Sequence, residues 1–225
     1  MNNINFDDFS DSYDSLMEKH LAGYGDLDYF GKSKAKLIRK MLKGCKESVN
    51  ILDFGCGTGR NLPHLKSFFP DAKLYAFDIS KSSLDHAKQN NPDVSIIYEN
   101  AIDSYPSVFD IIFISGVFHH VEPEFRKNIV KRAGRLLNDH GAIAVFEHNP
   151  LNPVTSSIVR DCPFDKDAVL ITKRELCYLF TALGFRKLAH RYTLFLPPKL
   201  KTFDFIEEFL HWLPIGAQYC IIFTK

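Results

Sequence analysis

An acid followed at once by closely spaced glycines, Asp53-Phe54-Gly55-Cys56-Gly57-Thr58-Gly59, gives this sequence a segment suited to holding a ligand by its backbone. Glycine has no side chain and tolerates positive φ, so a ligand can rest against bare backbone beside the N–H groups of a following helix. Such a turn on its own is equally a plain strand–helix connection. A second acid, Asp78, ends another apolar segment about 25 residues farther on, near the place where a Rossmann-type unit holds a ribose through a carboxylate. The two features together point to a nucleoside-bearing ligand. A dinucleotide is disfavoured, because the third glycine of its fingerprint would fall on Arg60 or on Leu62, depending on the frame. A separate group, His119, His120, Glu147 and His148, offers proton transfer.

The elements that would position these residues follow from the apolar pattern. Val49 to Phe54 and Lys73 to Asp78 read as buried parallel strands, and Val94 to Tyr98, Phe109 to Ser115 and Ala142 to Phe146 continue the series. Phe185 to Leu196 reads as a sixth strand and Tyr219 to Thr224 as a last one. Before them, Asp8 to His20 and Tyr29 to Leu42 read as helices of an N-terminal cap. Asn149 to Ala168 reads as a long loop, and Phe203 to Leu213 as a helix with an unusually wide apolar stripe. That helix is expected to pack under the sheet, or else to wall a lipophilic pocket, meet a membrane surface or form a dimer face.

On the Asp53 to Gly59 motif, Asp78, the Glu99-Asn100-Ala101 segment and the run from Phe109-Asp110 through Ser115-Gly116 to His119-His120, the sequence resembles the class I S-adenosylmethionine-dependent methyltransferases. The resemblance covers about Val49 to Phe146; EHNPLNP and CPFD farther on also resemble one bacterial small-molecule subgroup. It implies an α/β Rossmann-like fold: a seven-stranded, mostly parallel sheet of order 3-2-1-4-5-7-6, helices on both faces and an N-terminal helical cap. The cap would span residues 1–48 and the methyltransferase domain 49–225. The resemblance assigns the methionine part of the cofactor to Asp53, Gly55 and Gly57, the ribose to Asp78 with Ile79 beside it, the adenine edge to Asn100 and Ala101, and the neighbouring strand end to Ser115 and Gly116. Asn100 stands where the family usually has an acid, and its amide oxygen can still accept a hydrogen bond from an exocyclic amine.

The implied cofactor is S-adenosyl-L-methionine, with S-adenosyl-L-homocysteine as product. Methyl transfer from a sulfonium is an in-line displacement, so the protein must mainly position the acceptor and exclude water. A base is needed only for an acceptor that carries a proton of high pKa, and His120 and His148 are the candidates, with His119 and Glu147 close by. A sulfonium also attracts aromatic faces, so Tyr13 or Tyr24 is expected to close over it as a lid. No metal is expected: adjacent His119 and His120 point in different directions on most backbones, and no HExxH spacing occurs.

Composition narrows the partners. The 225 residues suit one well-buried domain; 28 basic against 27 acidic residues leave a net charge of +1, without the basic field that draws in nucleic acid. A small-molecule acceptor, lipophilic if the last helix contributes, is favoured over nucleic acid. Five cysteines without a CxxC pair suit reduced thiols, no apolar stretch is long enough to span a bilayer, and the acidic N-terminus lacks a signal-peptide core, so a cytoplasmic enzyme is expected. Two rivals remain: a non-catalytic binding module for the same cofactor, and an aminopropyltransferase-like enzyme, which would need an acidic cluster that does not follow Phe113 to Gly116.

Overall fold

A computed structural model describes residues 27–44, 48–162, 165–196 and 204–225. The expected helix at Asp8 to His20 and the lid tyrosines Tyr13 and Tyr24 lie outside these residues. The first described element is helix α1, Leu27–Met41, which buries Gly31, Ala35 and Ile38 at the spacing of one helical face. Strand β1 (Asn50–Phe54) leads into α2 (Leu62–Phe68), β2 (Lys73–Phe77), α3 (Lys81–Asn90) and β3 (Ser95–Ile97). Strand β4 (Phe109–Ser115), α4 (Arg126–Leu136), β5 (Leu137–His148), α5 (Pro153–Asp161), α6 (Lys173–Thr181), β6 (Arg186–Thr193), α7 (Asp204–Leu210) and β7 (Gln218–Thr224) complete the order.

The strands form one sheet of order β3-β2-β1-β4-β5-β7-β6, as the resemblance implies. The first five are parallel, and β7 enters antiparallel between β5 and β6. Side-chain parity divides the core into two layers, because successive residues of a strand face opposite ways. Ile51, Ile111, Phe113, Ala144, Phe146 and Ile222 share one layer with Ala35 and Ile38 of α1. Leu52, Ile112, Ile114, Ile143, Val145, Ile221 and Phe223 share the other with Val130 of α4 and Leu176 and Phe180 of α6. Phe180 is fully buried and stacks on Phe223 with ring centroids 4.0 Å apart, while Phe118 and Phe185 meet its edges.

Three expectations change. The segment after β5 is not all loop: α5 occupies its middle, capped by Asn152, whose side chain accepts the Thr155 N–H, with Pro153 at the first helical position. Asn-Pro is a turn signal and a helix start alike, and here the second use wins. Strand β5 is longer than read, starting at Leu137 rather than Ala142, with a register shift against β4 after Phe109. The last helix ends at Leu210, earlier than read, and among the described side chains of its stripe Phe209 and Trp212 are exposed while Leu210 and Leu213 are half-buried. The turn beyond it is held instead by Asn149, whose amide donates to Pro214 O at 3.0 Å and Gly216 O at 2.8 Å. Among the described residues no helix is long and apolar enough to cross a membrane.

Replacing Phe180 by alanine is expected to cost about 3–5 kcal/mol of stability, read from urea denaturation of native and variant chains.

Candidate functional site

The carboxyl ends of β1, β2, β3 and β4 lie along one edge of the sheet, and the sequence-assigned cofactor residues sit there. Gly55 has φ +79°, and a Cβ on it would meet Val117 Cγ2 at 2.4 Å. Only glycine lets the turn pass beneath the segment after β4. Gly57 also has positive φ, and a Cβ there would point into open space, which leaves its backbone bare toward a ligand. Asp78 is fixed by its neighbours: Oδ2 accepts the Gly57 N–H at 2.8 Å and Oδ1 the Ser80 N–H at 3.0 Å. Ile79 beside it is 70% exposed, an apolar surface that a stacked base would cover. Asn100 and Ala101 occupy the turn after β3, the first exposed and the second half-buried. Gly116 carries φ +71° and donates its N–H to Phe146 O at 2.9 Å, joining the ends of β4 and β5.

Asp53 is the outstanding group. It shares parity with Ile51, so its side chain turns toward the α1 layer, where it is 0% exposed and neither oxygen has a hydrogen-bond partner among the described residues. Burial first, then the Asp78 charge, push its pKa up to about 8, against the pull of Lys34. Lys34 projects from α1 into the same corner and donates to Ser115 Oγ at 2.8 Å; burial brings its pKa down to about 8 despite Asp53 and Glu147. The orphaned carboxylate fits an ammonium such as the one on the methionine part of S-adenosylmethionine, and Lys34 fits the accompanying carboxylate. Lys34 is absent from the motif-based assignments. Its signal was a lysine placed among Gly31, Ala35 and Ile38 on the buried face of an amphipathic helix.

The second group gathers at the ends of β4 and β5. Glu147 is 1% exposed and fully used: Oε1 accepts the N–H groups of Val117 at 3.0 Å and Phe118 at 2.7 Å, while Oε2 lies 2.7 Å from His119 Nδ1. With its oxygens so engaged, Glu147 orients the turn and is removed from the candidate bases. Burial opposes a charge on His119, but Glu147 and Asp165 outweigh it and hold the pKa up to about 9. Burial, then the His119 charge, bring His120 and His148 down to about 4, so both are neutral at pH 7. The two adjacent histidines do not diverge as expected. Their ring centroids are 4.1 Å apart, and Asp165 Oδ1 lies 3.6 Å from His119 Nε2 and 3.5 Å from His120 Nε2. The 3-10 turn Phe118–His120 bends them together, held by Arg126 Nε on Phe118 O and Val121 O, both at 3.0 Å. Asp165 had no sequence signal beyond its place in CPFD; Val169, which donates to His119 O at 2.8 Å, brings its segment across.

The Asp53 geometry has a consequence for stability. A carboxyl whose folded pKa lies near 8, above its unfolded value of about 3.9, favours the fold at low pH and loses that contribution as pH rises through about 8. In the absence of cofactor, the native chain is therefore expected to melt at a lower temperature as pH rises from about 6.5 to about 8, the window in which the raised pKa of His119 acts in the same direction and the lowered pKa values of His120 and His148 no longer oppose it. Asp53→Asn should flatten this dependence by up to about 1.4 kcal/mol per pH unit and raise the melting temperature at the alkaline end, as thermal denaturation would record.

Comparison with known proteins agrees with this geometry. Residues 51–141 match the family described as a methyltransferase domain. The malonyl-[acyl-carrier protein] O-methyltransferase 1 of Ilyobacter polytropus is 29% identical over 99 residues, covering 42% of this chain and 37% of that protein. The chain spans well under half the length of the first curated relatives it matches, between 37% and 44%. A methyltransferase structure from Archaeoglobus fulgidus, described as SAM dependent, superposes with a TM-score of 0.69 at 17% identity, covering 95% of this chain and all (100%) of that one. The structure described as a DhpI–SAH complex does so at 0.65 and 13% identity, covering 98% and 93%. Residues 51–141 thus match a methyltransferase domain, and they lie on a sheet of the order that the resemblance to class I S-adenosylmethionine-dependent methyltransferases implies.

Proposed function

We propose that this chain transfers a methyl group from S-adenosylmethionine to an oxygen of a small-molecule acceptor that enters beside His148 and His120. The observation that carries the reading is the adjacency of two differently equipped corners. One holds an unpartnered buried acid with Lys34 and Asp78, suited to a zwitterionic nucleoside. The other holds neutral imidazoles at the ends of the neighbouring strands. When bound, the cofactor supplies a methyl on a positively charged sulfur, which departs as neutral S-adenosylhomocysteine. The chain's own task is then to hold the acceptor behind the methyl, keep water out and take the hydroxyl proton.

His148 is the group assigned to that proton. It ends β5 on the same parity as Ala144 and Phe146, the layer that also receives Ser115 and Asp53, and it is half-buried against His119 with ring centroids 5.0 Å apart. His120 Nε2 faces Asp165 instead, which favours a positioning role. The near-zero net charge supports a small acceptor over nucleic acid, and the name of the Ilyobacter relative, an O-methyltransferase, supports oxygen. Exposed Leu151, Val154, Trp212 and Ile215 on segments after β5 and α7 support an acceptor with an apolar part.

Incubating the chain with methyl-labelled cofactor and a metabolite extract should yield a labelled product and S-adenosylhomocysteine. With the identified acceptor, His148→Gln should lower kcat about 100-fold or more at saturating cofactor. Lys34→Met should weaken cofactor binding roughly tenfold. Tight cofactor binding without S-adenosylhomocysteine from any fraction would replace the enzyme reading by a binding module.

A further inference from the structure

His119, His120 and Asp165 are arranged for something besides hydrogen bonding. One ligand atom from each of His119, His120 and Asp165 lies within 4.8 Å of the other two, and the Nε2 atoms of both histidines face the same Asp165 oxygen. The two nitrogen–oxygen separations, 3.6 and 3.5 Å, exceed the usual N–H···O range. Ligand atoms around a tetrahedral ion, each about 2.0–2.2 Å from it, stand roughly 3.3–3.6 Å apart. The carboxylate separations therefore suit a shared cation at least as well as shared protons.

The support behind the cluster fits the same use. A metal-ligating histidine commonly donates its other ring nitrogen to a carboxylate, which fixes the ring and the tautomer. His119 Nδ1 does so to Glu147, itself pinned by two backbone N–H groups. Access is graded: the side chains of His119, Asp165 and His120 are 3%, 11% and 24% exposed, so the cluster is largely dry and reached past His120. Two imidazoles with one carboxylate form a mixed nitrogen and oxygen set, which suits divalent transition metals better than the hard, oxygen-seeking Mg²⁺ or Ca²⁺.

We propose that His119 Nε2, His120 Nε2 and the Asp165 carboxylate bind a divalent transition-metal ion of the Zn²⁺ class, with the remaining coordination positions left to water or an oxygen donor. Nothing in this proposal depends on methyl transfer, since the three ligands and the Glu147 support stand without the cofactor. The site lies beside His148, where an oxygen ligand of the metal would meet the end of β5.

The full chain, purified without a histidine tag and stripped with chelator, should bind one equivalent of Co²⁺ with visible d–d bands of low coordination number, and Zn²⁺ should displace them. Asp165→Asn and His120→Gln should each weaken binding about tenfold or more, whereas His190→Gln, on β6 away from the cluster, should leave it unchanged. His120→Gln alters a partly exposed side chain, so its circular dichroism and melting curve serve to separate lost ligation from lost folding. Absence of d–d bands in the folded native chain at millimolar Co²⁺ would overturn the proposal. So would bands and affinity that survive in both cluster variants.

Discussion

Burying a carboxylate away from water costs several kcal/mol unless partners replace the lost hydration, and this fold does it twice at the ends of neighbouring strands. The two cases are solved in opposite ways. Glu147 is satisfied from within: two backbone N–H groups and a histidine take its oxygens, and in return it fixes the turn that follows β4. Asp53 has no such partners among the described residues. The first acid builds the turn, and the second is the one that the proposed reading gives to the cofactor's ammonium.

Side-chain parity then distributes the chemistry. Asp53, Ser115 and His148 fall on the α1 side of the sheet, which is why a lysine from α1 reaches Ser115 and the corner of Asp53. Glu147 has the opposite parity, with Val145 and Ile143, and so meets the turn and the His119 ring from the other side. The antiparallel β7 supports this edge, pairing Gln218 with His148 and Tyr219 with Glu147. Tyr219 adds a hydrogen bond from its hydroxyl to Ile171 O at 2.8 Å, anchoring the segment that runs from Asp165 to α6.

The connections after β5 show where patterns mislead. Asn149 and Asn152 read as loop residues, yet each serves as a clamp: Asn149 holds the turn before β7, and Asn152 caps α5 while donating to Ile215 O at 2.6 Å. The same polar types favour turns and helix caps, so only the partner on the other segment separates the uses. The apolar stripe of the last helix left packing under the sheet and an open face as alternatives. Periodicity reports an amphipathic face but not what covers it, and Phe209 stays exposed.

Local order in the sequence determined much of this protein: the strand series, the glycine turn and the acid after β2 follow from apolar runs and backbone requirements confined to a few adjacent residues, while the order of the strands in the sheet came through the family resemblance. What only the tertiary structure decided is which distant side chains share one corner. Lys34 beside Ser115, Asp165 beside His119 and His120, and Glu147 beneath the turn at Val117 and Phe118 join segments between 29 and 81 residues apart, or bring in a loop with no periodic signal. The direction of a buried side chain depends on the parity of its strand and on the helix packed over it, and neither is written in the residue's own neighbourhood. The two histidines show this most directly: adjacency in the chain suggested divergence, and one short 3-10 turn brings both rings onto a single carboxylate.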